Sequence, residues 1–257
     1  MHVTRFHSEG CASGCLGWLH QFANNERTDE VSLRHGRLVD HESEDWLGRN
    51  YGIKGDCQAD LFPANLHIMC TNYRMTTPQA EVAAIFGARA DDALDTHDTD
   101  IFPKRRALVV REETGLALDV MNWGFPPPPM ARAPVVNVRN LASPFWKSAL
   151  ANPSRRCLVP ASEFCEWEGE AGNKTKRWFK LTDRPLFAFA GIWRPTEAGA
   201  SFAFPTCEPN PLVAKVHPKA MPVILHAEDH QHWLDGSYDE ICVLAAPYPS
   251  QLMAIDA

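Results

Sequence analysis

The sequence predicts an α+β domain built mostly of antiparallel β-sheet, barrel-like at its core, with a few short helices. Two observations carry this. Many short apolar runs after residue 69 alternate with period 2 or stand as buried-strand runs between turn residues. Helix starts are few, and each opens only a short segment. A third observation sets the domain limits. Residues 1–68 show no sustained period of 2 or 3.6, so the pattern begins near residue 69 and runs to residue 257.

The elements follow in chain order. HESEDWLGR near 43–49 is compact and amphipathic, and predicts one short helix in the first segment. Thr77-Pro78 is a helix start, a hydroxyl cap before a proline at the first helical position, and Gly87 suits the stop. Val82, Ile85 and Phe86 fall on one face of that helix. RALVVR at 106–111 and LALDVMN at 116–122 form a hairpin around Glu113-Thr114-Gly115. Ser143-Pro144 opens a helix through Leu150. RWFKLT at 177–182 alternates as a half-buried strand. FAFAGIW at 187–193, SFAFPT at 201–206 and ICVLAA at 241–246 also predict strands. Asn210-Pro211 opens a short helix ending at His217, and HQHWLD near 230–235 is one more turn.

Composition narrows the class. Hydrophobic residues make up 45% and charged residues 22%, as in an ordinary globular chain. No apolar run approaches the roughly 20 residues of a membrane helix, and MHVTRFHSEG lacks the apolar stretch of a signal peptide. The expectation is a cytoplasmic protein, nucleoid-associated in a bacterium. The 8 cysteines are then reduced thiols rather than a disulfide framework. Cys11, Cys15 and His20 are too loosely spaced for a zinc site, and no metal or cofactor is implied. A net charge of −7 argues against wholesale coating of nucleic acid. Basic residues nevertheless cluster as Lys104-Arg105-Arg106, Arg155-Arg156 and Lys174, Lys176 and Arg177, either solvated faces or a phosphate groove.

Four polar residues stand where the local pattern does not require them. Cys70 opens the ordered-looking region, Asn137 ends APVVN, Glu166 lies inside FCEW, and His217 precedes Pro218. Each has an ordinary structural explanation. A Cys/His/Glu/Asn set also suits nucleophilic catalysis, but spacing alone does not say that the four meet.

These residues sit in segments that resemble the SOS-response-associated peptidase (SRAP) family. Met69-Cys70-Thr71-Asn72-Tyr73-Arg74-Met75 is similar to the Met-Cys start of such proteins. Asn122-Trp123-Gly124-Phe125-Pro126 resembles a Trp-Gly-aliphatic-Pro segment, and Asn137-Val138-Arg139 an Asn-Ala-Arg motif. RCLVPASEFCEW at 156–167 is the most specific match, and FAFAGIW at 187–193 and KVHPKAMPVIL at 215–225 complete the set in family order. Departures are Asn72 where the family often has Arg, Cys165 for Tyr before the glutamate, and one extra residue in His217-Pro218-Lys219-Ala220-Met221-Pro222.

The resemblance implies a DNA-damage protein that binds single-stranded DNA and crosslinks to its abasic sites through an N-terminal cysteine, here Cys70. It acts as a monomer away from membranes. An abasic site equilibrates with a ring-opened aldehyde. An N-terminal cysteine offers an amine, with a pKa of about 7.7–8.0, that adds to the aldehyde, and a thiol that closes a thiazolidine ring. The implied catalytic set is Cys70, Asn137, Glu166 and His217, with Glu166 and His217 moving protons. Arg139 and Arg74 hold phosphates. Trp123 and Phe125 either stack an unpaired base or are ordinary core aromatics. The alternatives are a cysteine peptidase, acting on its own N-terminus or elsewhere, and a non-covalent single-strand-binding module. Because an internal cysteine has no amine, residues 1–68 are expected to be an extension from a start placed too early, or a removed pro-segment, ahead of a 69–257 domain.

Overall fold

The computed structural model describes residues 33–34, 37–38, 70–90, 94, 98–127, 133–170 and 173–256. The helix expected near 43–49 and the set Cys11, Cys15 and His20 lie outside these residues. The chain divides into two units, Met1–His67 with Ser143–Phe145, and Ile68–Ala142 with Trp146–Ala257. In the first, Leu33–Arg34 pairs antiparallel with Arg37–Leu38. The second carries the remaining strands and its own hydrophobic core.

In that unit β1 (Asn72–Arg74) is followed by α1 (Gln79–Phe86) and β2 (Asp100–Ile101). Pro78 rather than Thr77 caps α1, with no side-chain bond, and Gly87 closes it at φ 61°, a left-handed conformation that glycine adopts without strain. Val82, Ala83 and Phe86 face inward, whereas Ile85 is exposed. The expected hairpin forms as β3 (Arg106–Glu112) and β4 (Leu116–Trp123). Then come β5 (Asn137–Val138), α2 (Pro144–Leu150), β6 (Arg156–Ala161) and β7 (Glu163–Glu168). They are followed by β8 (Thr175–Leu181), β9 (Phe187–Thr196) and β10 (Gly199–Cys207). The chain ends with β11 (Met221–Pro222), β12 (Ile224–Leu225), α3 (His230–Asp235), α4 (Tyr238–Leu244) and β13 (Met253–Asp256).

Five strands close a ring. β10 pairs antiparallel with β9, β9 with β6, β6 with β3, and β3 with β4. A parallel pairing of β4 with β10, Ser201 opposite Asn122 and Phe202 opposite Trp123, completes it. The barrel is otherwise antiparallel, as expected. A second sheet runs β13-β8-β7-β1-β2. The inward positions of both sheets are large and apolar. Tyr73 meets Trp123 edge-on at 5.1 Å between ring centres, and Phe189 packs on Phe204 at 4.9 Å. Burying side chains of this size contributes roughly 1.5–3 kcal/mol each.

Three further expectations change. ICVLAA is not a strand. Residues 238–244 form α4, capped by Ser237, whose hydroxyl accepts from Glu240 N while the Glu240 carboxylate accepts from Ser237 N. Only Ile241 of this helix is fully buried, and Val243 is 76% exposed, so the apolar run does not enter a sheet. The helix expected over 211–217 is a single 3₁₀ turn, Val213–Lys215. Asn210 precedes it, its Oδ1 accepting from Leu212 N and Val213 N. Finally, Arg156 is neither a solvated nor a phosphate-groove residue. It is buried and donates to the Trp233 and Gly236 carbonyls at 2.8 and 2.7 Å, fastening α3 to the barrel.

Candidate active site

The site is set by the register of β1 against β7. Asn72 lies opposite Cys165, Tyr73 opposite Phe164, and Arg74 opposite Glu163. Tyr73 points into the core, so its strand neighbours Asn72 and Arg74 lie on the other face, and Cys70 stands just ahead of β1. This register carries Cys70 to Glu166, 96 residues away. The Cys70 nitrogen donates to Glu166 Oε1 at 3.1 Å. The Cys70 sulfur sits 3.7 Å from the Asn72 carbonyl, a weak S–H···O contact.

Burial governs the electrostatics here. Glu166 is almost wholly enclosed, and desolvation raises its pKa to about 8, with the Cys70 N–H bond pulling the other way. Near neutral pH the carboxyl can therefore both take and give a proton. The Cys70 thiol is pushed well above its ordinary range, first by burial and then by the charge of Glu166. Cys165, the neighbour of Glu166, is raised to about 11 by burial. Both sulfurs are thiols, not thiolates, at neutral pH.

A second group gathers along β10 and the loop after it. Asn137 opens β5 and lies opposite Phe204. Arg139, two residues on, donates through Nη2 to the Lys219 carbonyl at 3.1 Å. In the same loop His217 Nδ1 lies 2.9 Å from the Ala220 carbonyl. A carbonyl only accepts, so Nδ1 carries the hydrogen, and a neutral imidazole then presents Nε2 as an acceptor. Arg139, Thr206, Cys207, Lys219 and Tyr238 line a cavity of about 460 Å³. The Thr206 hydroxyl is buried there without a hydrogen-bond partner.

Of the expected catalytic residues, a hydrogen bond joins Cys70 to Glu166, while Arg139 and His217 each bond a carbonyl of the segment 217–220 and Asn137 pairs with β10. Arg74 is otherwise engaged. It bridges Asp100 at 2.7 Å and Glu163 at 3.0 Å, and its guanidinium lies 3.7 Å over the Trp178 ring. A phosphate would have to compete with two carboxylates for it. Trp123 and Phe125 are interior residues. Trp123 packs between Tyr73 and Phe204, and Phe125 stacks on Trp146 with the Arg194 guanidinium 4.5 Å over its ring. As they stand, neither offers an open face to a base, and the core alternative describes them. Gly124 between them has φ 107° and lies so close to Pro134 that a Cβ would meet its side chain at 2.9 Å. The Trp-Gly pair therefore follows from packing. Sequence reasoning meets Asn72 and Lys219 only as departures from the family pattern and misses Thr206. That Asn72 and Thr206 are enclosed is not legible, because burial of a polar side chain leaves no mark on local periodicity.

The barrel, the appended sheet and the Cys70–Glu166 pair all fall inside one family signature. Residues 69–257 match the model of the SOS response associated peptidase (SRAP) family, and the chain belongs to that family. Among similar proteins is the abasic site processing protein YoaM of Bacillus subtilis (strain 168), 28% identical over 192 residues, covering 63% of this chain and 84% of that protein. The abasic site processing protein YoqW of the same organism is 29% identical over 172 residues, covering 60% and 75%. A crystal structure of a Bordetella bronchiseptica protein superposes with a TM-score of 0.62 at 22% identity, over 73% of this chain and 99% of that one. One from Bacteroides thetaiotaomicron gives 0.61 at 24% identity, over 72% and 90%. These two likenesses speak for the fold. Among the described residues no helix is long and apolar enough to cross a membrane.

Proposed function

We propose that this protein processes abasic sites in DNA, capturing the ring-opened sugar covalently through Cys70 in a form whose N-terminus is Cys70. The observation that carries this reading is the hydrogen bond from the Cys70 nitrogen, rather than its sulfur, to the buried Glu166 carboxyl at 3.1 Å. The names of the similar Bacillus proteins support the substrate.

The chemistry balances without an oxidant. The neutral amine adds to the aldehyde carbon to give a carbinolamine. Protonation of its hydroxyl expels water and leaves a Schiff base. The thiol then adds across the C=N bond, its hydrogen passing to nitrogen, and the thiazolidine closes. Glu166 is suited to accept the proton of the attacking amine and return it to the departing hydroxyl. The last step tolerates a protonated thiol better than thiolate hydrolysis of a peptide would, so the raised Cys70 pKa favours capture over a peptidase. Asn137 and His217 hold and move protons at the sugar, and Arg139 meets a phosphate of the single strand.

The chemistry requires a free α-amine, which a peptide N–H does not supply, so residues 1–69 must be absent from the reacting form. The test mixes the full chain, and a chain started at Met69, with single-stranded DNA bearing one abasic site. Adducts are read on a denaturing gel and N-termini by intact mass. The short chain, with Met69 removed, should give a heat-stable adduct. Cys70→Ala should abolish it and retain reversible binding. An adduct of wild-type yield from Cys70→Ala, or from a chain whose mass shows Cys70 still acylated, refutes the reading.

A further inference from the structure

We infer that Asn72 is a positioning residue of this capture reaction, holding a hydroxyl of the ring-opened sugar. The inference rests on the reading of Cys70 given above. Asn72 has no exposed surface, yet neither its Oδ1 nor its Nδ2 has a hydrogen-bond partner. Enclosing an amide with nothing to bond is destabilising, and folded proteins rarely leave both ends of one unmet. Asn210 shows the ordinary outcome in the same fold. It is equally enclosed, but its Oδ1 accepts two backbone N–H groups and its Nδ2 donates to the Tyr248 carbonyl at 2.7 Å.

The location of the unmet amide gives it meaning. Asn72 opens β1 two residues after Cys70, and its backbone carbonyl accepts from the Cys70 sulfur. Its strand partner is Cys165, next to Glu166. The residue that bears the unmet amide therefore stands next to the nitrogen and sulfur that would form the ring.

The chemistry of the amide selects the group it would hold. Oδ1 needs a donor and Nδ2 needs an acceptor. Phosphate diester oxygens only accept and an ammonium only donates, so each would leave one end unmet. A hydroxyl does both. Opening the sugar to the aldehyde releases one, on C4, three carbons from the carbon that bonds to Cys70. The closed sugar, with O4 in its ring, carries its hydroxyl on C1 instead, so an amide set to bond the C4 hydroxyl favours the open form that reacts.

The test compares two aldehydes on otherwise identical single-stranded oligonucleotides: a natural abasic site, and a tethered alkyl aldehyde without a hydroxyl. Adduct formation is timed for the wild type, Asn72→Leu and Asn72→Ala, each as the full chain and as the chain started at Met69. The wild type should prefer the abasic site by about tenfold or more, since a site built to bond a hydroxyl rejects the analogue lacking one. Asn72→Leu should lose that preference by slowing only on the abasic site, and should melt at or above the wild-type temperature, because it removes an unmet amide. A variant that slows equally on both aldehydes, or keeps the full preference, overturns the inference. Asn72→Ala is read in the same way should the leucine variant not fold. A wild type that reacts equally with both aldehydes also overturns it while leaving Cys70 capture standing. A wild type that reacts with neither removes the underlying reading as well.

Discussion

Replacing Glu166 by glutamine should change how stability depends on pH, and the size follows from its burial. The carboxyl has an ordinary pKa of 4.5 and is raised to about 8 in the fold. Below 4.5 both folded and unfolded chains hold the proton. Above it the unfolded chain releases the proton while the folded chain retains it, so the folded state loses ground as pH rises. The loss runs at about 1.4 kcal/mol per pH unit and is complete once the folded group also ionises, near pH 8. Between pH 5 and 7.5 the wild type should lose roughly 3 kcal/mol relative to Glu166→Gln, which has no proton to release. The assay is urea unfolding of the full chain and the variant at pH 5, 6, 7, 7.5 and 8.5. The gap between their midpoints should widen by about 1 M over the lower range and stay level above pH 8. A gap that does not change with pH refutes the argument that burial controls this carboxyl. In a chain beginning at Cys70 the nitrogen becomes an ammonium, whose charge holds the carboxyl down, and the window should shrink.

Other outcomes follow from the packing. Arg156→Ala strands the carbonyls of Trp233 and Gly236 and empties a buried volume, so it should cost roughly 3 kcal/mol, read as a fall in Tm. Trp123→Ala should cost about 3–5 kcal/mol as a core truncation, and Trp123→Phe should restore most of it, as measured by denaturant unfolding. A role confined to stacking a base would leave stability unchanged. Ser237→Ala should lose about 1 kcal/mol by opening the cap of α4, detectable as faster amide exchange over 238–244.

The hairpin of β3 and β4 was legible because period-2 apolar runs flank a Gly at the turn. α1 was legible because Pro78 and Gly87 mark its ends. α4 was misread as a strand because Ile241, Cys242, Val243 and Leu244 form an apolar run too short to reveal its period. The signal that would have decided was three residues upstream, in Ser237 and Glu240. Glu166 drew notice as a carboxylate among apolar neighbours, and that setting does raise its pKa. Arg74 is expected to hold a phosphate and Arg156 to lie on a solvated face or in a phosphate groove, yet one is held by two carboxylates and the other is buried on two carbonyls.

By itself the sequence determined the β3–β4 hairpin, strands β8, β9 and β10, helices α1, α2 and α3, the family, and the residue types that could carry out an aldehyde capture. Periodicity, turn residues and motif order are local properties, and they survive in a string. Only the tertiary structure decided which atom of Cys70 faces Glu166, that Trp123 and Phe125 are enclosed, and that the Asn72 amide lies buried without a partner. Each of these depends on strand register between segments about a hundred residues apart, or on what covers a side chain, and no local pattern encodes either.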